Sequence, residues 1–264
     1  MPILYKRIEE EVVFMKIVEN KKLGINWCEI FIFLSPILFI LYFLWLRTNH
    51  FQIYEIVAFE DGVLEWGQFF LYLFSFILSL ALAIRFRKKK FLFVIYALMA
   101  MAFLFISLEE ISWGERIFGT GVVPISEDLM GRNIQGEMNF HNIDSIHSKI
   151  GYIYIAIGFV GCFAWLGISI LKRFKKPGKD MEELLLHIIP PWYYFFYFFP
   201  LFINLITITM YEFMPQDYEV VETVLAIGLF IFVLGNFVRF RKVNYFDYVK
   251  KELKKGGRNA LSHT

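Results

Sequence analysis

The sequence predicts an all-α, polytopic membrane helix bundle of about six transmembrane helices with both termini cytoplasmic, and three observations carry that prediction. The 264-residue chain is 58% hydrophobic and 20% aromatic, with a mean hydropathy of +0.53, beyond the usual composition of a soluble domain. Apolar windows of about 20 residues, the length that crosses about 30 Å of hydrocarbon, occur near 27–46, 63–84, 91–111, 150–171, 189–211 and 219–238. The third observation is charge placement. Of the 27 Lys and Arg residues, all but Arg47, Arg116, Arg132 and Lys149 lie in the amino-terminal segment, the 85–90 and 172–179 connections, and the tail after 238. Basic residues mark the cytoplasmic side of a membrane protein. An even number of spans agrees with this orientation.

In chain order, residues 1–22 read as an amphipathic cytoplasmic segment, because Leu4, Ile8, Val12 and Met15 recur at helical spacing among Lys and Glu. The segment lacks the order of a cleavable signal, so the first span is expected to remain as an anchor. Pro36 and Pro200 fall inside the first and fifth spans, where a missing amide donor bends a helix. In the run PPWYYFFYFFP at 190–200, the prolines suit a first helical turn and Trp192, Tyr193 and Tyr194 suit an interfacial aromatic belt. Cys28 and Cys162 stand in apolar runs and are expected to be buried small hydrophobes. No internal repeat divides the chain, so 1–264 is read as one membrane domain. The six-span bundle occupies 27–238, with an outer loop at 112–149 and a basic cytoplasmic tail at 239–264.

The chemistry is expected at the outer face. Glu109 and Glu110 close the third span inside SLEEISWGERIFG, and a charge within the hydrocarbon costs about 2.5–3.5 kcal/mol on insertion scales. If the third helix continues past them, Glu109, Ser112 and Arg116 fall along one face at i, i+3 and i+7. Arg116 would then neutralise a glutamate or hold an anionic group. In EDGVLEWGQFF, Asp61, Glu65 and Gln68 form a second polar stripe entering the second span, with Asp61 also suited to cap the helix start. The loop NIQGEMNFHNIDSIHSK supplies His141 and His147, with Asp144 three residues from each. Glu110, His141 and His147 make a reasonable three-ligand set for a divalent metal, zinc or manganese, in metal-assisted hydrolysis. A metal-free alternative uses a histidine as base and a carboxyl as acid. Glu212 and Asp217 flank Pro215 in an expected outer turn and would rim the same region as solvated acids.

EDGVLEWGQ, EEISWGERIFG and NIQGEMNFHN together resemble an unassigned family of bacterial polytopic inner-membrane proteins. That family shares an acidic second-span entry, an EEISWG run and a QGE-N-HN loop, and it confers no activity. The resemblance implies a multi-pass protein of the bacterial inner membrane. Its matched positions here are Glu65, Glu109, Glu110, Trp113, Arg116, Glu137, His141 and Asn142; Glu115 departs from the family's usual glutamine. In layout alone the chain is also similar to the membrane hydrolases that include alkaline ceramidases, departing from them in span count and in lacking a late HxxxH. The sequence thus leads to a membrane enzyme with Glu65, Glu109, Glu110, Arg116 and His141 as catalytic candidates, acting on a lipid or lipid-linked substrate. An ion-coupled transporter and an assembly subunit with a partner-binding loop are the rival readings. Membrane lipids are the expected surroundings. Nucleic acid is not an expected partner, because the basic residues are already explained by orientation.

Overall fold

The computed structural model describes residues 27–59, 62–118, 140, 144–174, 178–210 and 215–261. Nine helices follow in order among these residues: α1 (Trp27–Asn49), α2 (Phe51–Ala58), α3 (Val63–Arg85), α4 (Lys90–Glu110), α5 (Glu115–Phe118), α6 (Asp144–Phe174), α7 (Lys179–Ile188), α8 (Phe195–Met210) and α9 (Pro215–Leu261). Short 3-10 turns at Ser112–Gly114 and Trp192–Tyr194 lead into α5 and α8. No strand occurs among the described residues. Six helical stretches are long and apolar enough to cross a membrane, so the chain is a multi-pass membrane protein. The amphipathic reading of residues 1–22 lies outside the described residues.

α3 is the middle of the bundle, packed along α4 on one side and α9 on the other. Tyr72, Leu82, Phe86, Leu92, Tyr96, Phe103 and Val233 fill the space between these three helices. A second cluster, including Cys162, Tyr197, Phe198, Leu201 and Val224, joins α6, α8 and α9. A third, with Phe43, Leu46, Tyr54, Leu64 and Val220, fastens α1 and α2 to the starts of α3 and α9. α6 packs its length along α8, with no comparable packing against α3, α4 or α9.

Many large apolar side chains, among them Phe31, Leu38, Met101, Val160 and Leu171, face outward, as expected where lipid replaces water. Cys28 is among the exposed residues whereas Cys162 is buried. The expectation that both cysteines are buried therefore fails for Cys28, since an apolar run in a membrane helix has a lipid face as well as a packed one. Pro36 and Pro200 both lie within helices.

Lipid tails are as apolar as leucine, so helices here associate through close packing and polar links. A Cβ on Gly158 of α6 would lie 2.4 Å from the Phe202 backbone nitrogen, and one on Gly228 of α9 would lie 2.6 Å from Tyr197 Cβ. These glycines let α8 approach both neighbours. Ser35 and Tyr197 add a 2.7 Å hydroxyl contact between α1 and α8. At the basic end, the buried His187 of α7 meets the Tyr96 hydroxyl through Nδ1 at 2.7 Å, and Asn236 Nδ2 donates to the His187 carbonyl at 3.2 Å.

Gly158→Ala is expected to destabilise the bundle by about 1–3 kcal/mol, the usual effect of overpacking, because its obstacle is backbone. Gly167→Ala, with nothing within 4 Å of the added carbon, is expected to be neutral. Thermal unfolding of the detergent-solubilised variants measures the difference.

Candidate functional site

Three helix ends meet at the end of the bundle opposite the Arg85–Lys90 connection. α3 and α4 run antiparallel, so the first turns of α3 and the last of α4 lie at one level, and Ser107 Oγ donates to the Phe69 carbonyl at 3.2 Å. One turn farther along each helix, Glu110 comes to the level of Glu65. The start of α9 joins them through Gln68, whose amide nitrogen donates to Glu219 Oε2 at 2.9 Å, to the Glu219 carbonyl at 3.2 Å and to Thr223 Oγ1 at 3.1 Å.

The third transmembrane helix does not continue past the glutamates. α4 ends at Glu110, and Ser112 (φ 46°), Trp113 (φ 54°) and Gly114 (φ 92°) all adopt left-handed backbone conformations. Two non-glycine residues in that region cost of order 1–3 kcal/mol each and persist only when their surroundings hold them. Those surroundings are visible. Trp113 Nε1 donates to Glu109 Oε1, the Phe140 amide donates to Glu109 Oε2 at 2.8 Å, and the Trp113 ring lies edge-on to Phe105 and Phe140 with centroids 5.6 and 5.7 Å away. The expected single face of Glu109, Ser112 and Arg116 is therefore replaced by a reversal. It turns Arg116 back over the helix ends, where Nη1 lies 2.6 Å from Glu65 Oε2 and donates to the Glu110 carbonyl at 2.9 Å.

Behind this ion pair lies a deeper acidic group. Glu110 is within electrostatic reach of Glu222, Glu219 and Glu65, with Arg116 opposing them. Tyr72 is within electrostatic reach of Glu110, Glu219 and Glu222, and Tyr154 of α6 hydrogen-bonds to Glu222. Glu110, Tyr154, Glu219 and Glu222 are half-buried, and Gln68 and Tyr72 beside them are buried.

The sequence pointed to Glu65, Gln68, Glu109, Glu110 and Arg116, and the structure gathers all five at this end. Glu219, Glu222, Tyr72 and Tyr154 were missed. The signal for the two glutamates was present, since they sit i, i+3 at the start of the sixth span, subject to the same cost as Glu109 and Glu110. Asp217 departs from the solvated-turn reading. It is buried in the first turn of α9 and pairs with Arg47 Nη1 at 2.8 Å, while the Tyr54 hydroxyl donates to its other oxygen. An acid beside the third apolar cluster is kept there by a guanidinium from α1. Asp61, Glu212 and His141 lie outside the described residues, and His147 falls within α6. Among the described residues, no three His, Cys, Asp or Glu side chains come together as a metal centre.

No protein-family model, curated protein or solved structure matches the chain. The chemistry of the site therefore rests on its own residues: carboxyls, tyrosine hydroxyls, and a guanidinium held on Glu65.

Removing one partner of a buried ion pair strands the other charge, at a cost of about 3–5 kcal/mol, whereas replacing both is far milder. Arg116→Met is accordingly expected to lower the unfolding midpoint sharply, and Glu65→Gln/Arg116→Met to recover most of the loss. A double-mutant cycle on the solubilised protein measures the coupling.

Proposed function

We propose that this membrane protein is an enzyme working at the outer membrane face, a hydrolase or transferase acting on a lipid or lipid-linked substrate. The observation that carries this reading is Glu110, which ends α4 beside the Glu65–Arg116 pair and within electrostatic reach of Glu219 and Glu222. A carboxyl at the end of a membrane span is suited to general acid–base work on a substrate whose chains remain in lipid.

Glu110 gives or takes the proton, and His141 is its proposed complement. Arg116, held on Glu65 and the Glu110 carbonyl, is the proposed electrostatic partner of an anionic head group. Glu109 keeps the reversal in place through Trp113 and Phe140 and thereby positions Arg116. Glu110, His141 and His147 remain the proposed ligands of a divalent metal such as zinc or manganese, which would supply an activated water. The basic connections assign the acidic end to the outside, and the motif resemblance supports the inner membrane of a bacterium as the location.

A cation-coupled carrier is the second reading. It is favoured by the contribution of carboxyls from three different spans, α3, α4 and α9, since intramembrane acids commonly serve as ion or proton sites.

The test compares the lipids and lipid-linked species of bacterial membranes carrying the wild type with those carrying Glu110→Gln, by mass spectrometry. A species consumed or formed with the wild type is expected to change at least 100-fold more slowly with the variant, within the usual contribution of an acid–base group. Identical profiles at equal protein levels would remove the enzyme reading.

A further inference from the structure

A row of polar side chains crosses the bundle where hydrocarbon favours apolar ones. Glu65, Gln68, Tyr72, Ser75 and Ser79 of α3 recur three or four residues apart, within an arc of about 80°, and all five are buried. Phe70, Phe74, Ile77 and Leu80 of the same helix face outward. The row lies against α4 and α9: the Tyr72 ring stacks on Phe103 with centroids 6.2 Å apart, and Gln68 is bonded to Glu219 and Thr223. From Glu65 to Ser79 it runs about 21 Å along the axis, most of the depth of a hydrocarbon core of about 30 Å.

The row meets a titratable group at either end. At the acidic end Gln68 Nε2 holds the Glu219 carboxylate at 2.9 Å, one turn from Tyr72. Ser107 sets the register of α4 on α3 through the Phe69 carbonyl, and counting back along the antiparallel α4 brings Tyr96 level with Ser79 and Leu80. The buried Tyr96 hydroxyl lies 2.7 Å from His187 Nδ1 at the basic end, where Arg239 Nη1 donates to the neighbouring Leu186 carbonyl at 3.3 Å. Close packing alone does not account for the row. Ser75 Oγ donates to the Leu71 carbonyl at 2.7 Å, a common arrangement for serine within a helix. Ser79 Oγ makes no such bond, and neither it nor Gln68 Oε1 has a hydrogen-bond partner among the described residues. An unmatched buried polar atom costs about 1–3 kcal/mol, which alanine at position 79 would avoid.

From this arrangement we infer that the buried face of α3 carries protons across the membrane between Glu219 and His187, through the hydroxyls of Tyr72, Ser75, Ser79 and Tyr96 with internal water between them. From Tyr72 to Ser79 the successive members stand about 4.5–6 Å apart along the axis, a separation that one water spans with two hydrogen bonds of about 2.8 Å. Water is also what a buried hydroxyl without a protein partner takes. Each hydroxyl accepts a proton on one side and releases its own on the other, and Glu219 and His187 return to their starting states. One proton crosses per passage, driven by the membrane potential. Intramembrane polar side chains commonly mark such routes. The path uses neither Glu110 nor His141 and needs no lipid substrate, so it stands or falls apart from the enzyme reading.

The experiment uses the full chain in vesicles of phosphatidylethanolamine and phosphatidylglycerol, with pyranine inside and a potassium diffusion potential set by valinomycin. Wild-type vesicles are expected to acidify at least tenfold faster than protein-free ones. Ser79→Ala and Tyr72→Phe are each expected to remove most of that excess, whereas Ser169→Ala, on the outward face of α6, leaves it unchanged. Acidification by the folded wild type no faster than in protein-free vesicles overturns the inference, and so does an unchanged rate in folded Ser79→Ala and Tyr72→Phe. Should Tyr72→Phe fail to fold, Tyr96→Phe replaces it, with the same loss expected.

Discussion

Hydrocarbon offers charges no partner, so each ionised group at the acidic end must be answered from within the protein. The Glu65–Arg116 pair is where that requirement is met most directly, and much of the local structure follows from it. Arg116 reaches Glu65 only because the chain reverses after Glu110. The reversal in turn needs left-handed Ser112 and Trp113, conformations that an isolated segment would abandon. Glu109 supplies the restraint through the indole and the Phe140 amide. Two adjacent glutamates thus take different parts: Glu109 is enclosed by the turn it stabilises, while Glu110 is set among the acids of α3 and α9.

The helix packing divides the bundle into two parts. α3, α4 and α9 form one tightly filled unit, and α6 is attached through α8. The small surface of Gly158 draws α6 toward α8, and Tyr154 spans the remaining distance to Glu222. A hydroxyl bridge of this kind is a weaker closure than interdigitated side chains.

Much of the architecture was legible in the sequence because the membrane imposes a simple rule. A run of about 20 apolar residues has few alternatives to a spanning helix, so each of the six windows overlaps one of the six long apolar helical stretches. Glu65 and Glu110 were legible for the same reason, as charges out of place. The break after Glu110 was less visible, because Ser112 and Trp113 have no intrinsic preference for left-handed backbone and only Gly114 hints at a turn. The partners of Asp217 were hidden altogether. Arg47, Tyr54 and Asp217 lie on three separate elements, and no local spacing connects them. Glu219 and Glu222 were overlooked because attention went to the outer loop, although the start of the sixth span carried the same signature as the end of the third.

α9 gives the bundle a further property. It is one unbroken helix of 47 residues, about 70 Å long at 1.5 Å per residue. Glu219 and Glu222 stand near its start, and Asn236, which holds the His187 carbonyl, lies about 21 Å farther along it. The polar contacts at the two ends of the bundle therefore hang on one continuous helix, whose turn of about 3.6 residues fixes the angle between the glutamates and Asn236.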